Sequence, residues 1–131
     1  MSVDTLSNML SSINNASLVR KEFIEIPCAS LVESVADVLL KHGYFNEVRR
    51  FKKTGTGRKY LHITLKYTEN GDPCFILIKR ISTQGRRIYR GSAELYRRKK
   101  GIFVVSTSQG VMSNLEAVKK SLGGEVLFEI V

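Results

Sequence analysis

The chain has 131 residues, 43% of them hydrophobic, enough for one domain or two small ones with a real core. Lys and Arg number 21 against 12 Asp and Glu, a formal charge of +9 that favours a polyanionic partner, nucleic acid or less often an anionic membrane surface. No apolar run approaches the roughly 18 residues of a membrane span, no basic segment leads into an apolar core at the start, and Cys28 and Cys74 stand far apart with no ligand spacing, so transmembrane, secreted and metal-binding classes are not expected. The two thiols are expected to pack as small apolar residues in a reducing compartment.

Leu6, Met9, Leu10 and Ile13 recur at i, i+3, i+4 and i+7, which predicts an amphipathic helix with Asp4 as its N-cap. Glu22 to Ile26 alternates charged and apolar residues and reads as a half-buried strand. Ser30 with Glu33 forms a capping-box pattern ahead of the stripe Leu31, Val35, Val38 and Leu39, and Gly43 falls at the position after the helix. Leu61, Ile63, Leu65 and Tyr67 face one way, with His62, Thr64 and Lys66 opposite, a strand of strict period two. Asn70-Gly71 predicts a hairpin turn, with Phe75 to Ile78 returning as the partner strand. The expected arrangement for residues 1–79 is αβαβββ. Within it, Lys53-Thr54-Gly55-Thr56-Gly57-Arg58 reads as a basic hairpin tip, because its glycines match neither phosphate-loop pattern and no helix follows.

From Ile81 the character changes. Ser82 to Gly85 reads as a turn, Arg87-Ile88-Tyr89 as a short strand and Ala93 to Arg97 as one helical turn. Ile102 to Val105 is a buried strand that breaks into three hydroxyl residues, Ser106-Thr107-Ser108, and a turn at Gly110. Ser113 with Glu116 caps a helix running to about Leu122, Gly123-Gly124 stops it, and Val126 to Val131 closes the module as a strand. The expected fold class is α/β (α+β) in two small modules: 1–79, and a β-rich 80–131 with one main helix.

An enzyme reading fares poorly. His42 at a helix end and His62 on the polar face of a strand read as surface residues. Ser106 and Ser108 lack the Gly-x-Ser-x-Gly context of an activated nucleophile, and no His–Asp pair stands out. Glu125 reads as a structural carboxylate that accepts from loop hydroxyls or backbone amides. A nucleic-acid reading uses more of the residues. Fifteen of the 21 cations fall in two stretches, Arg49 to Lys59 and Lys79 to Lys100, and such clustering is an electrostatic footprint. Arg49, Arg50, Lys52, Lys53 and Arg58 in the first stretch are candidate secondary contacts. In the second, Arg86, Arg87 and Arg90 surround Tyr89, whose ring either stacks on a base or ribose or lies in the core. The Ser-Thr-Ser row suits the wide, shallow minor groove of structured RNA, with its 2′-hydroxyls, better than the DNA major groove. The alternative is a capped turn that satisfies its own backbone.

These residues resemble the universal family of small-subunit ribosomal protein number eight, in its bacterial or organellar form. The resemblance spans essentially the whole chain. It is strongest in Val104-Val105-Ser106-Thr107-Ser108-Gln109-Gly110-Val111-Met112 and Gly123-Gly124-Glu125-Val126-Leu127, with support from Leu65-Lys66-Tyr67, the segment Arg80 to Tyr89 and Asp4 to Leu10. It implies a structural constituent of the small ribosomal subunit, without catalysis, cofactor, metal or small-molecule substrate, which binds a stem in the central domain of small-subunit ribosomal RNA and supports assembly. By position, Ser106, Thr107, Ser108, Gly110, Gly123, Gly124 and Glu125 would carry that binding, with Tyr89, Arg86, Arg87 and Arg90 beside them. Neighbouring small-subunit proteins would be its other partners. The runner-up is a free RNA-binding translational regulator using the same surface on a message.

The departures remove three of the family's cations from the first module. Ser12 and Asn14 stand where the family carries arginines, and Pro27-Cys28-Ala29-Ser30 replaces Pro-Ser-Ser-Lys. Thr5 replaces the usual proline after Asp4, Gln84-Gly85-Arg86 replaces Pro-Gly-Leu, and Ser113-Asn114-Leu115 replaces Thr-Asp-Arg. The loss of cations leans the expectation towards an organellar, mitochondrial ribosome over one in a bacterial cytoplasm.

Overall fold

A computed structural model describes residues 5–55, 57–75, 77–95 and 101–131. The chain divides into two units, Met1–Cys74 and Phe75–Val131. Asp4, expected as an N-cap, and Arg97 to Lys100, part of the second basic stretch, lie outside the described residues.

The first unit runs α1 (Thr5–Leu18), β1 (Phe23–Pro27), α2 (Ser30–Lys41), β2 (Phe45–Lys52) and β3 (Lys59–Leu65). The predicted stripe of α1 is buried at all four positions, and α1 packs on β1 and α2. In α2 the buried face is Val32, Val35, Ala36, Val38 and Leu39. Val32 takes the place expected for Leu31, because Val32, Val35, Ala36 and Leu39 follow the helical repeat. The capping box expected at Ser30 is absent. Ser30 is already helical, Ala29 is the extended N-cap residue with no side-chain hydrogen bond, and the Glu33 carboxylate goes to Arg50 instead. Gly43 closes the helix with φ +84°, the left-handed conformation that glycine adopts at no steric cost.

The three strands form an antiparallel sheet in the order β1-β3-β2. Leu61, Ile63 and Leu65 of β3 point inward, as their alternation requires, and Ile24 and Ile26 join them from β1. Lys53 N–H donates to the Arg58 carbonyl at 2.9 Å, closing the basic hairpin tip between β2 and β3. Beyond β3, Thr68 to Asp72 turn as expected, with Gly71 at φ +84° and an isolated bridge between Tyr67 and Pro73. Among the described residues of Phe75 to Ile78, none pairs with that turn's first arm as a returning strand. Ile78–Arg80, here β4, pairs with the last strand of the second unit, so the first unit is αβαββ.

The second unit adds β5 (Tyr89–Arg90), a 3₁₀ turn (Ser92–Glu94), β6 (Ile102–Thr107), β7 (Gly110–Ser113), α3 (Asn114–Lys119) and β8 (Gly124–Ile130). The strand order is β4-β8-β6-β7, with β5 on the start of β8. The β7 strand replaces the direct entry from turn to helix expected at Gly110. Val111 and Met112 pair with Ser106 and Val105 across a tight hairpin. Ser113 Oγ accepts from Glu116 N–H at 3.3 Å and caps α3 as predicted, although the helix ends at Lys119 rather than near Leu122. Leu95, Val105, Met112, Ala117 and Val126 form a buried cluster. A register shift after Val104 buries Val104 and Val105 together.

Candidate nucleic-acid interface

The hydroxyl row straddles the end of β6. Ser106 and Thr107 are strand residues, and Ser108 and Gln109 form the exposed turn into β7. Thr107 is committed to that turn: its Oγ1 donates to the Gly110 carbonyl at 2.8 Å and accepts from Gln109 N–H at 3.2 Å. At this residue the capped-turn alternative holds. The hydroxyls of Ser106 and Ser108 have no hydrogen-bond partner among the described residues. Gly110 adopts φ +115°, which lets the tip close tightly.

Gly124 sits against this tip, and Gly123 against the end of β5, because nothing larger fits. A Cβ on Gly124 would lie 2.2 Å from the Ser106 carbonyl oxygen, and one on Gly123 would lie 2.6 Å from the Arg90 carbonyl oxygen. Gly124 is the cross-strand partner of both Thr107 and Arg90. The start of β8 therefore holds the hydroxyl hairpin on one side and β5 on the other.

Glu125 follows, its side chain only 14% exposed. It takes neither a hydroxyl nor a backbone amide, as the sequence had indicated, but Arg87: Nη1 donates to both carboxylate oxygens at 3.3 Å. Tyr89, the cross-strand partner of Glu125, is 62% exposed, so its ring is presented to solvent rather than to the core. Arg90 donates to the Tyr89 carbonyl at 2.9 Å and lies 3.8 Å from Glu94. Arg86 is exposed in the turn bridged to Thr83. One end of this sheet thus gathers Ser106, Ser108, Gly110, Gly123, Gly124, Glu125, Tyr89, Arg87 and Arg90.

The cations of the first unit divide. Arg50 is held against α2 by Glu33 at 2.5 Å and Asp37 at 3.3 Å. The hydrogen bond to Glu33 and the nearby Asp37 raise its guanidinium above the ordinary value, against the opposing effect of desolvation. Arg49 pairs with Glu47 at 2.9 Å. Lys52, Lys53 and Arg58 lie at the exposed end of the β2–β3 hairpin, with the Lys53 ammonium 4.8 Å from the centre of the Tyr60 ring. His62, expected at the surface, is largely covered: Glu25 contacts its Nδ1 at 3.1 Å and Phe23 stacks on its ring at 4.5 Å.

Two structural residues escaped the sequence reading. Asn114, fully buried, donates to the Leu95 carbonyl and accepts from Phe103 N–H, both at 3.1 Å. Ser82, also fully buried, accepts from Ile88 N–H at 2.9 Å and shapes the turn before β5. Asn114 carries no pattern in sequence because its partners Phe103 and Leu95 are brought to it by the fold, whereas Ser82 reaches a residue only six positions on, across a turn that the sequence marks without naming its hydrogen bonds.

The fold and surface define a basic α+β protein whose exposed ends are built of hydroxyls, cations and rings. The family model for ribosomal protein S8 matches residues 4–131. A small ribosomal subunit protein uS8 from Rippkaea orientalis is 40% identical over 128 residues, covering 95% of this chain and 94% of that protein. The uS8c protein of Ceratophyllum demersum is 37% identical with 99% of each chain covered, and the uS8 of Orientia tsutsugamushi is 36% identical with 97% and 96% covered. The chain belongs to the ribosomal protein S8 family and is a structural ribosomal constituent, not an enzyme.

Proposed function

We propose that this small-subunit constituent binds a stem in the central domain of small-subunit ribosomal RNA through the β6–β7 tip and the start of β8, and that it supports assembly of that domain beside neighbouring small-subunit proteins. The observation that carries the reading is the pair of uncommitted hydroxyls on Ser106 and Ser108, held on a tip whose backbone is pinned against Gly124. Short donors and acceptors on a rigid hairpin can approach the shallow minor groove and its 2′-hydroxyls closely. The exposed Tyr89 ring and the cations Arg86, Arg87 and Arg90 add a stacking surface and phosphate attraction on the same sheet end. Lys52, Lys53 and Arg58, with Arg49, supply secondary phosphate contacts; Arg50, engaged by two carboxylates, contributes least to these. Relatives carry both the uS8 and the uS8c names, so either a bacterial cytoplasm or an organelle suits the ribosome concerned.

The test is calorimetric titration of the full chain with the isolated stem. Changing Ser106 and Ser108 together to alanine should weaken binding by about 1–3 kcal/mol, as two neutral hydrogen bonds are lost, with the fold and the salt dependence unchanged. Unchanged affinity in the folded double variant would reduce the tip to a structural turn.

A further inference from the structure

The solvent face of the first unit's sheet carries a row that the reading above does not use. Outward-facing residues of a half-exposed antiparallel sheet are ordinarily polar. Here the register places Pro27, Tyr60 and Phe51 side by side across β1, β3 and β2. The adjoining row, Ile26 with Leu61, is buried, so by alternation the Pro27–Tyr60–Phe51 row faces away from the core. Pro27 is exposed, and Tyr60 and Phe51 are partly exposed, their rings 6.1 Å apart. The Lys53 ammonium sits over the Tyr60 ring at 4.8 Å.

The charges around this row are one-sided. No carboxylate occurs between Glu47 and Glu69, and Lys53 and Arg58 stand at the tip of the hairpin beside the row. Lys52 and Lys59, cross-strand partners one row further on, alternate to the other face with Arg50, whereas Lys53 lies over the Tyr60 ring and its N–H donates to the Arg58 carbonyl at the tip. In the next outward-facing row Glu25 contacts His62 and Arg49 pairs with Glu47, so away from the tip the sheet carries acids as well as cations. Aromatic faces beside a cationic track are the chemistry that holds single-stranded nucleic acid, with bases on the rings and phosphates on the cations.

We propose that Tyr60, Phe51 and Pro27 form a stacking platform for unpaired RNA bases, with Lys53 and Arg58 at the hairpin tip neutralising the adjoining phosphates. The platform is separate from the hydroxyl hairpin of the second unit. It rests on the proposed function only in taking the polyanion to be RNA.

The experiment uses the full chain, a labelled single-stranded oligoadenylate of about ten nucleotides and the same strand paired with oligouridylate. The single strand should bind more tightly than the duplex. Changing Phe51 and Tyr60 to leucine keeps apolar bulk in the row but removes the π faces, and should weaken oligoadenylate binding roughly tenfold with the salt slope unchanged. Changing Lys53 to glutamine should flatten that slope by up to about one. The double leucine variant should bind the ribosomal stem as the parent does, and the Ser106→Ala, Ser108→Ala variant should bind oligoadenylate as the parent does. In the unaltered chain, the Tyr60 ring resonances should shift on titration with oligoadenylate, a readout that needs no substitution. Unshifted Tyr60 resonances, full binding by a folded double leucine variant, or loss of oligoadenylate binding in the serine variant would each overturn the platform. Absence of oligoadenylate binding would do the same and leave the row to an apolar protein partner. Loss of stem binding alone would sink the proposed function and leave this inference standing.

Discussion

Arg87 and Glu125, 38 positions apart, meet at the edge of the candidate interface, one guanidinium nitrogen donating to both carboxylate oxygens at 3.3 Å. The arginine is 56% exposed and the carboxylate 14%, so the acid is the more deeply set member. In the absence of RNA, this arrangement holds one cation of the basic stretch in a fixed place beside Tyr89.

Replacing Glu125 by glutamine should release Arg87 without changing shape. The expected outcome is a salt dependence of RNA binding steeper by up to about one unit, with folding stability altered by no more than about 1 kcal/mol because the pair is solvent-screened. Replacing Arg87 by glutamine should flatten the slope instead. Titrations at several salt concentrations distinguish the two, and identical slopes in both variants would show that Arg87 makes no phosphate contact.

Thr107 should behave differently from its serine neighbours. Its hydroxyl makes both side-chain bonds of the β6–β7 turn, so Thr107→Val should lower folding stability by about 0.5–2 kcal/mol in urea melts, whereas Ser106→Ala and Ser108→Ala should leave the midpoint in place. Equal melting midpoints for all three variants would mean that the turn does not depend on this cap.

Gly124 is a steric requirement before it is anything else. An alanine methyl there would meet the Ser106 carbonyl oxygen at 2.2 Å, backbone that cannot yield without moving β6. Gly124→Ala should cost about 1–3 kcal/mol or more and loosen the hydroxyl tip, seen as faster amide exchange at Ser106 and Thr107. Gly85→Ala, in open space and without a left-handed φ, is the matched control and should be nearly neutral in the same measurements.

Asn114 fastens three segments. Changing it to leucine would leave the Phe103 N–H and the Leu95 carbonyl without their side-chain partner. The expected loss is roughly 2–5 kcal/mol by denaturant unfolding, among the largest for any polar residue of this unit. A neutral result would mean that both groups find other partners once the amide is gone.

Stability should fall at alkaline pH. Burial, then the nearby Glu33, raises the Cys28 thiol above its ordinary value against the opposing pull of Arg50 and Lys59, and burial raises the Tyr44 and Tyr67 hydroxyls in the same direction. These groups hold their protons more tightly folded than unfolded. Their contribution is therefore complete below the unfolded-state values and declines as pH climbs through the folded ones. Melting temperature should drop over that alkaline range, and Cys28→Ala should shallow the drop. Alkylation of Cys28 should reach half its maximal rate above the pH found for an ordinary thiol. A midpoint at or below that pH would contradict the burial.

Much of the site's raw material was legible in order of residues alone. The hydroxyl row, the paired glycines before Glu125 and the two basic stretches are local in sequence, and the resemblance they carried agrees with the family match over residues 4–131. What each group does with its partner was not legible. Thr107 closes a turn, Arg50 serves two carboxylates of α2, and Tyr89 turns outward; each outcome depends on residues brought near by the fold.

The sequence by itself determined the elements whose physics is local. The stripe of α1 follows from the 3.6-residue repeat, the inward row of β3 from the two-residue repeat, the end of α2 from glycine at φ +84°, and the start of α3 from a serine able to accept a backbone N–H. Only the tertiary structure decided where the short strands belong. At two to four residues, β4, β5 and β7 have too little length for alternation to declare a face, and they are strands because β8 and β6 offer them backbone partners. That is why Ile78, the last residue of the hairpin strand expected over Phe75 to Ile78, pairs instead with β8 as part of Ile78–Arg80, and why a hairpin, rather than a loop into a helix, carries Ser106 and Ser108. Pairing energy comes from the neighbouring strand, and the identity of that neighbour is written nowhere within the segment itself.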